Sequence, residues 1–273
     1  EPLYREAIRR RKERFGESGA LAAAHLNLGL LLAIRHQMPE AREQAERGVQ
    51  MMARFEGRDS VNYLRAQMAR GRVALAGGNF EQARDGLAEA WKGIEVKLGS
   101  EHLLTEISEF YLALADARGQ GQATDRLEQA IADLERQRPA ADPHLAQAWC
   151  DLAQLKVEQD PAEARRLAGR CLELRRDDLA LSDWKISEAR TILLAARIES
   201  GDSTAVPELR RARQSLAQVL GSDHPRLAWC DRWLGGVRSG GFGFGVGNAD
   251  QGITGCGCAA PAATCADRPC CGA

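Results

Sequence analysis

The sequence predicts an all-α solenoid of stacked helix-turn-helix repeats, and three observations predict it. A turn signal recurs along the chain, and its acidic residues Glu17, Asp59, Glu101, Asp142, Asp183 and Asp223 step by 42, 42, 41, 41 and 40. Near-constant spacing of this size marks a stacked repeat. Between the turns, apolar residues recur at three and four, as in Leu28, Leu31 and Leu32, or Leu87, Ala90, Trp91 and Ile94. That is the period of one helix face, and no segment alternates long enough to suggest strands. Alanine, leucine, arginine, glutamate and glutamine, all strong helix formers, dominate residues 1–234.

Each repeat divides into two helical runs. Residues 3–15 read as the second helix of an earlier repeat. Five pairs follow: 21–36 with 39–55, 60–76 with 80–98, 103–118 with 124–136, 144–158 with 161–176, and 184–200 with 206–220. Residues 225–234 read as the first helix of an incomplete repeat. The turns inside pairs carry helix stoppers, such as His36-Gln37-Met38-Pro39, Gly77-Gly78-Asn79 and Gly201-Asp202. At the turns between pairs, a glycine such as Gly16, Gly57, Gly99 or Gly221 permits the left-handed conformation that ends a helix. The acid after it is expected to cap the next helix by accepting orphan backbone N–H groups.

Residues 235–273 are a different material, with 11 glycines, five cysteines and almost no large aliphatics. Such a segment cannot bury enough apolar surface to offset its ordering entropy, so it is expected to be a disordered tail. The domain boundary falls at Leu234.

The pattern of residues 1–234 resembles the tetratricopeptide repeat. Leu28-Gly29 followed by Ala41, Ala45 and Gly48 is the best match to the family's large-small pair and its small residues in the second helix. Gly71, Ala83 and Ala90 match in the next unit, and Ala123 and Ala130 in the one after. Trp149, Leu152 and Ala153, then Ala164, Ala168 and Cys171, match in the fourth; the fifth departs from the pattern. The period of about 42 residues and the phrases LYREAIRRRKERFG, LNLGLLL and LGSDHPRLA are similar to the kinesin-light-chain type. Arrays of this type also resemble those attached to bacterial serine/threonine protein kinases. The resemblance implies a right-handed superhelical solenoid whose first helices line a concave, peptide-binding groove. Projecting the register inward gives Asn27, Arg65, Arg72, Glu109, Asp116, Gln147, Asp151, Gln154, Glu158 and Glu188 as groove residues. The groove is then expected to be basic near its start and acidic towards its end. The runs Arg9-Arg10-Arg11-Lys12, Arg175-Arg176 and Arg210-Arg211 lie on second helices, and are expected on the solvated outer surface.

Composition narrows the partner. Thirty-seven basic residues face 38 acidic ones, for a formal net charge of -1. A nucleic-acid binder would carry a strong basic excess. The most apolar stretch, 26–34, is too short to cross a bilayer and is interrupted by Asn27. There is no signal-peptide pattern. The start at Glu1 within a half-repeat reads as a truncated upstream end. Cys150, Cys171 and Cys230 are spread through helical segments and are expected to be buried as small hydrophobes, which favours a reducing cytoplasm.

Catalytic motifs are missing. There is no phosphate-binding P-loop, and the glycine run 241–247 lacks GxGxxG spacing and a following helix. No kinase catalytic loop, DFG or HExxH occurs. His102, His144 and His224 sit at repeat turns about two helix layers apart, roughly 20 Å, while zinc ligands sit about 2 Å from the metal. Capping is the expected role of these histidines. The tail cysteines Cys256, Cys258, Cys265, Cys270 and Cys271 match no paired CxxC site. The expected function is therefore a scaffold for a protein or peptide partner, with no catalytic residue, cofactor or metal. Two alternatives stand: a regulatory segment of a larger bacterial protein kinase, and a metal- or redox-active protein acting through the cysteine-rich tail.

Overall fold

The computed structural model describes residues 1–120, 124–137, 142–178 and 183–235. The expected tail lies outside them except for Gly235. The described residues form helices α1 (Pro2–Phe15), α2 (Gly19–Ile34), α3 (Met38–Glu56), α4 (Val61–Ala76), α5 (Phe80–Leu98) and α6 (Leu103–Gln120). They continue with α7 (Thr124–Gln137), α8 (Pro143–Lys156), α9 (Pro161–Asp178), α10 (Trp184–Glu199), α11 (Val206–Leu220) and α12 (Pro225–Leu234). A short 3₁₀ turn, Ser203–Ala205, precedes α11. The architecture is the all-α solenoid expected from the 41-residue rhythm.

Packing runs along the chain. Each helix packs on the next, and α2, α4, α6, α8, α10 and α12 also touch one another in series. Among the described residues, α3, α5, α7, α9 and α11 make no such contacts with one another. First helices therefore sit close together on the inside of the curve, and second helices fan out on the outside. Curvature of this kind gives a stacked array its concave face.

Small residues set the spacing within pairs. A Cβ added at Gly29 would stand 3.0 Å from the Ala41 carbonyl oxygen, and one at Gly48 would stand 2.6 Å from Leu26 Cγ. Ala41, Ala45, Ala83 and Ala90 are buried against the facing helix, so backbones approach closely. Leu21, Leu28, Leu87, Ile94, Leu127 and Leu134 fill the remaining space and are almost fully buried. Each such side chain contributes about 1.5–3 kcal/mol of burial free energy. Trp149 is buried between α7 and α9: its indole N–H donates to Glu135 Oε1 at 2.5 Å, and Arg170 lies over its ring at 3.9 Å.

Three expectations are corrected. The turn acid caps its helix only at Asp142 and Asp183, which accept from His144 N–H at 2.7 Å and Lys185 N–H at 2.8 Å. Elsewhere the residue after the acid holds the border position and caps instead: Ser18, Ser60, His102 and His224. A cap acceptor must stand immediately before the first helical residue. Glu17 and Asp59, one position too early, pair instead with Arg54 at 2.8 Å and Lys97 at 2.9 Å. His144 is thus on the donating side of a cap, unlike His102 and His224.

The second correction concerns cysteine. Cys150 and Cys171 form a disulfide joining α8 to α9, with Cα atoms 5.8 Å apart. Both occupy small positions on facing helices, which brings them within bridging distance. Cys230 alone of the helical three is a buried free thiol. The helical cysteines therefore do not argue for a reducing compartment. Among the described residues, no helix is long and apolar enough to cross a membrane.

The third correction concerns Arg175, expected on the outer surface. Its side chain is only 4% exposed. It continues the buried stripe of Ala164, Ala168 and Cys171, each fully buried on α9. That stripe turns the last turn of α9 inwards, towards the start of α10.

Candidate peptide-binding cavity

The concave side encloses a cavity of about 880 Å³. Its walls come from the C-terminal halves of α2, α4 and α6, from α8 and α12 and from the N-terminal end of α10, with Leu174 and Arg175 reaching in from α9. The floor is apolar, with Leu30, Ala33 and Ile34 of α2, Leu75 of α4 and Leu114 of α6. Tyr111, Trp184 and Trp229 add ring faces. Arg72 lies over the Tyr111 ring at 4.4 Å, and Arg226 over the Trp184 ring at 5.0 Å. Burial pushes the Tyr111 hydroxyl above its usual pKa, although Arg72 pulls the other way.

Six basic side chains line this space: Arg72, Arg118, Arg175, Lys185, Arg226 and Arg232. Three are held by buried carboxylates. Arg118 pairs with Asp151 at 2.8 Å. Arg175 donates to Glu188 at 3.1 Å and to Gln147 Oε1 at 2.7 Å, and Arg226 reaches the other Glu188 oxygen at 2.6 Å. Gln147 in turn donates to Asp151 at 3.1 Å. The result is one connected network across α6, α8, α9, α10 and α12.

The two carboxylates differ in their balance. Burial raises the pKa of Asp151 above its ordinary value, and its neighbour Arg118 does not fully offset this. Burial would also raise that of Glu188, but Arg226 and Arg175 outweigh it and hold the carboxyl below its ordinary value. Arg226, Arg175 and Arg118 all favour the Glu188 carboxylate, whereas Asp151 has only the cations Arg118 and Arg226 and is opposed by Glu188, which explains the opposite signs.

Of the groove residues projected from sequence, Arg72, Gln147, Asp151 and Gln154 line the cavity. Glu188 stands behind the wall, holding Arg175 and Arg226. Glu158 lies 3.9 Å from Arg232 at the rim. Asn27 and Arg65 are exposed and do not line it. Glu109 and Asp116 face Arg126 of α7, at 3.9 and 3.0 Å. The expected basic-to-acidic gradient is replaced by a largely basic cavity, because the acids at its far end are matched by arginines. From sequence, Arg175 is expected on the outer surface and none of the others is singled out. For Arg175 a signal existed, its place on the buried stripe of α9. For Arg118, Arg226 and Arg232 none did, since only the curl of the array aims them inward.

Among the described residues, no group of histidine, cysteine, aspartate and glutamate side chains could hold a metal ion. The arrangement offers charge, ring faces and an apolar floor, which is recognition chemistry.

Residues 20–95 match the family model for the tetratricopeptide repeat. The kinesin light chain nearly identical TPR-like repeats of Podosopora anserina share the fold, with a TM-score of 0.51 and 23% identity over 74% of this chain and 98% of that one. BtubC (BKLC) from P. vanneervenii shares it too, with a TM-score of 0.52 and 16% identity over 91% of this chain and 94% of that one. No curated protein matches the chain.

Proposed function

We propose that this chain, a kinesin-light-chain-like solenoid whose residues 20–95 are tetratricopeptide repeats, is a non-catalytic scaffold that receives an acidic segment of a partner protein in its concave cavity. One observation carries the reading. Six basic side chains line a cavity of about 880 Å³ in a chain whose formal net charge is -1. Set against Asp151 in the lining and Glu188 and Glu158 beside it, these six leave a local basic surplus, and it is held in place before any ligand arrives. Arg118, Arg175 and Arg226 are fixed by Asp151 and Glu188. Pre-ordering side chains lowers the entropic cost of binding.

The cavity volume falls in the range of about 300–1,000 Å³ that suits a compact ligand. A short peptide stretch fits that scale better than a whole folded domain. Leu30, Ala33 and Leu75 supply an apolar floor for its side chains, and the arginines select its carboxylates. The test is a binding titration of the intact chain with a labelled acidic decapeptide and its charge-reversed counterpart. The acidic peptide is expected to bind more tightly, with an affinity that falls as salt rises. Equal binding of both peptides, or of neither, would remove the support for this reading.

A further inference from the structure

The two ends of the array meet. His224, at the N-terminal border of α12, contacts the carbonyl oxygen of Ile34, at the end of α2, through Nε2 at 2.9 Å across 190 residues. Its ring is buried and lies edge-on to that of His36, with centroids 5.8 Å apart. Ile34, His36 and His224 all border the cavity. This contact closes the concave face of the solenoid from the first repeat to the last.

Two independent features fit the contact. The first is the hydrogen-bonding pattern of His224. Its Nδ1 accepts the Arg226 backbone N–H at 3.2 Å, so in the neutral ring Nε2 carries the proton and donates to Ile34. As the last residue of α2, Ile34 has a carbonyl without a donor inside its helix. The second feature is His36, with φ of 58°, the one non-glycine residue of positive φ among the described residues. The equivalent places in the turns after α4 and α10 hold Gly78 and Gly201, with φ of 76° and 91°. A side chain in that conformation is strained. Here it sets an imidazole against the other end of the array.

We propose that His36 and His224 form a latch closing the first repeat onto the last, and that protonation of His224 opens it and widens access to the cavity. The access part rests on the proposed role of the cavity; the latch itself does not. Protonating Nδ1 would turn the acceptor of the Arg226 N–H into a donor. It would also place a cation at the positive end of α12 and inside a buried site. The charged groups facing the ring are Arg226 of α12, His36 of the α2–α3 turn and Glu188 of α10. Arg226 and His36 oppose the imidazolium, whereas Glu188 favours it but is already held by Arg175 and Arg226. Burial, joined by Arg226 and His36, lowers the His224 pKa below its ordinary 6.5 in the closed form. It outweighs the hydrogen bond to the Ile34 carbonyl, which favours the imidazolium because Nε2–H donates in either state. The closed form is therefore fully favoured above about pH 6.5 and loses its advantage as pH falls towards the lowered value, by up to tenfold per pH unit.

Small-angle X-ray scattering of the partner-free chain at pH 7.5 and 5.5 tests this, with circular dichroism to follow helix content. The wild type is expected to be compact at pH 7.5 and to expand at pH 5.5 while keeping its helices. His224→Gln reaches the same carbonyl but does not titrate, so it is expected to stay compact at both. His224→Asn keeps the helix cap but falls short of Ile34, so it is expected to be expanded already at pH 7.5. His36→Gly relieves the strained turn, so it is expected to melt higher than wild type while expanding at pH 7.5. If wild-type helices melt at pH 5.5, the Asn and Gly variants at pH 7.5 decide. Scattering unchanged by acid in folded wild type, or wild-type-like compactness of both His224→Asn and His36→Gly at pH 7.5, overturns the latch. Because no peptide is present, a chain that fails to bind the acidic decapeptide can still pass this test.

Discussion

Single side chains carry unequal weight in this array, and Trp149 and Glu188 show why. Trp149 is 4% exposed and bridges Glu135 and Arg170 from neighbouring helices. Trp149→Ala is expected to cost about 3–5 kcal/mol, because a large cavity opens between two repeats. A melting temperature unchanged within error would rule out that placement. Glu188 anchors two arginines at once. Glu188→Gln leaves the buried Arg175 with less countercharge and is expected to cost roughly 3–5 kcal/mol, the scale for breaking a buried pair. Its folded-state pKa is lowered, so its contribution is present above the ordinary value of 4.5 and lost as pH falls through the folded value. Asp151 has the opposite sign: its raised pKa means that ionisation costs stability, as pH rises from 3.8 through the folded value. Denaturant melts across pH 3 to 7 should therefore show acid sensitivity that weakens in Glu188→Gln but persists in Asp151→Asn.

At the scale of a helix, the same chemical change should have opposite effects at two glycines. A Cβ at Gly71 of α4 would sit 2.6 Å from Leu87 Cγ, whereas at Gly169 of α9 it would meet nothing within 4 Å. Gly71→Ala is expected to destabilise by about 1–3 kcal/mol through overpacking. Gly169→Ala is expected to stabilise by up to about 1 kcal/mol, since alanine is the better helix former. Chemical denaturation of the two variants side by side checks the contrast, and a shared sign would refute it. Helix placement was legible from the sequence because period, glycine stops and border residues all agreed. The capping residue was not, because acid and true cap stand one position apart and only the helix boundary chooses between them.

At the largest scale the described residues form a line of repeats bent back on itself, so coupling runs along the array and across its ends. The Cys150–Cys171 disulfide closes a segment of 21 residues in the fourth pair. Replacing both with alanine is expected to lower stability by about 2–4 kcal/mol. Thiol titration of the unfolded chain should find at least two fewer free thiols before reduction than after it; equal counts would show the pair unlinked. The cavity is also a property of the whole. Arg72→Glu with Arg232→Glu is expected to weaken acidic-peptide binding at least tenfold, about 1.4 kcal/mol. Arg210→Glu with Arg211→Glu, both exposed on α11 and away from the cavity, should change it little. Equal losses from the two pairs would place the binding site elsewhere.

The sequence by itself determined the helices, their pairing and the order of stacking. Those depend on local periodicity, on turn residues and on small residues at fixed spacing, which are all local quantities. It also pointed to the inner faces that carry Arg72, Gln147, Asp151 and Gln154. Only the tertiary structure decided that Arg118, Arg175, Arg226 and Arg232 turn a groove into a basic cavity, that Cys150 meets Cys171, and that His224 meets Ile34. These contacts depend on the small rotation between successive repeats. That rotation accumulates over the array from packing at each interface, and no single repeat contains it.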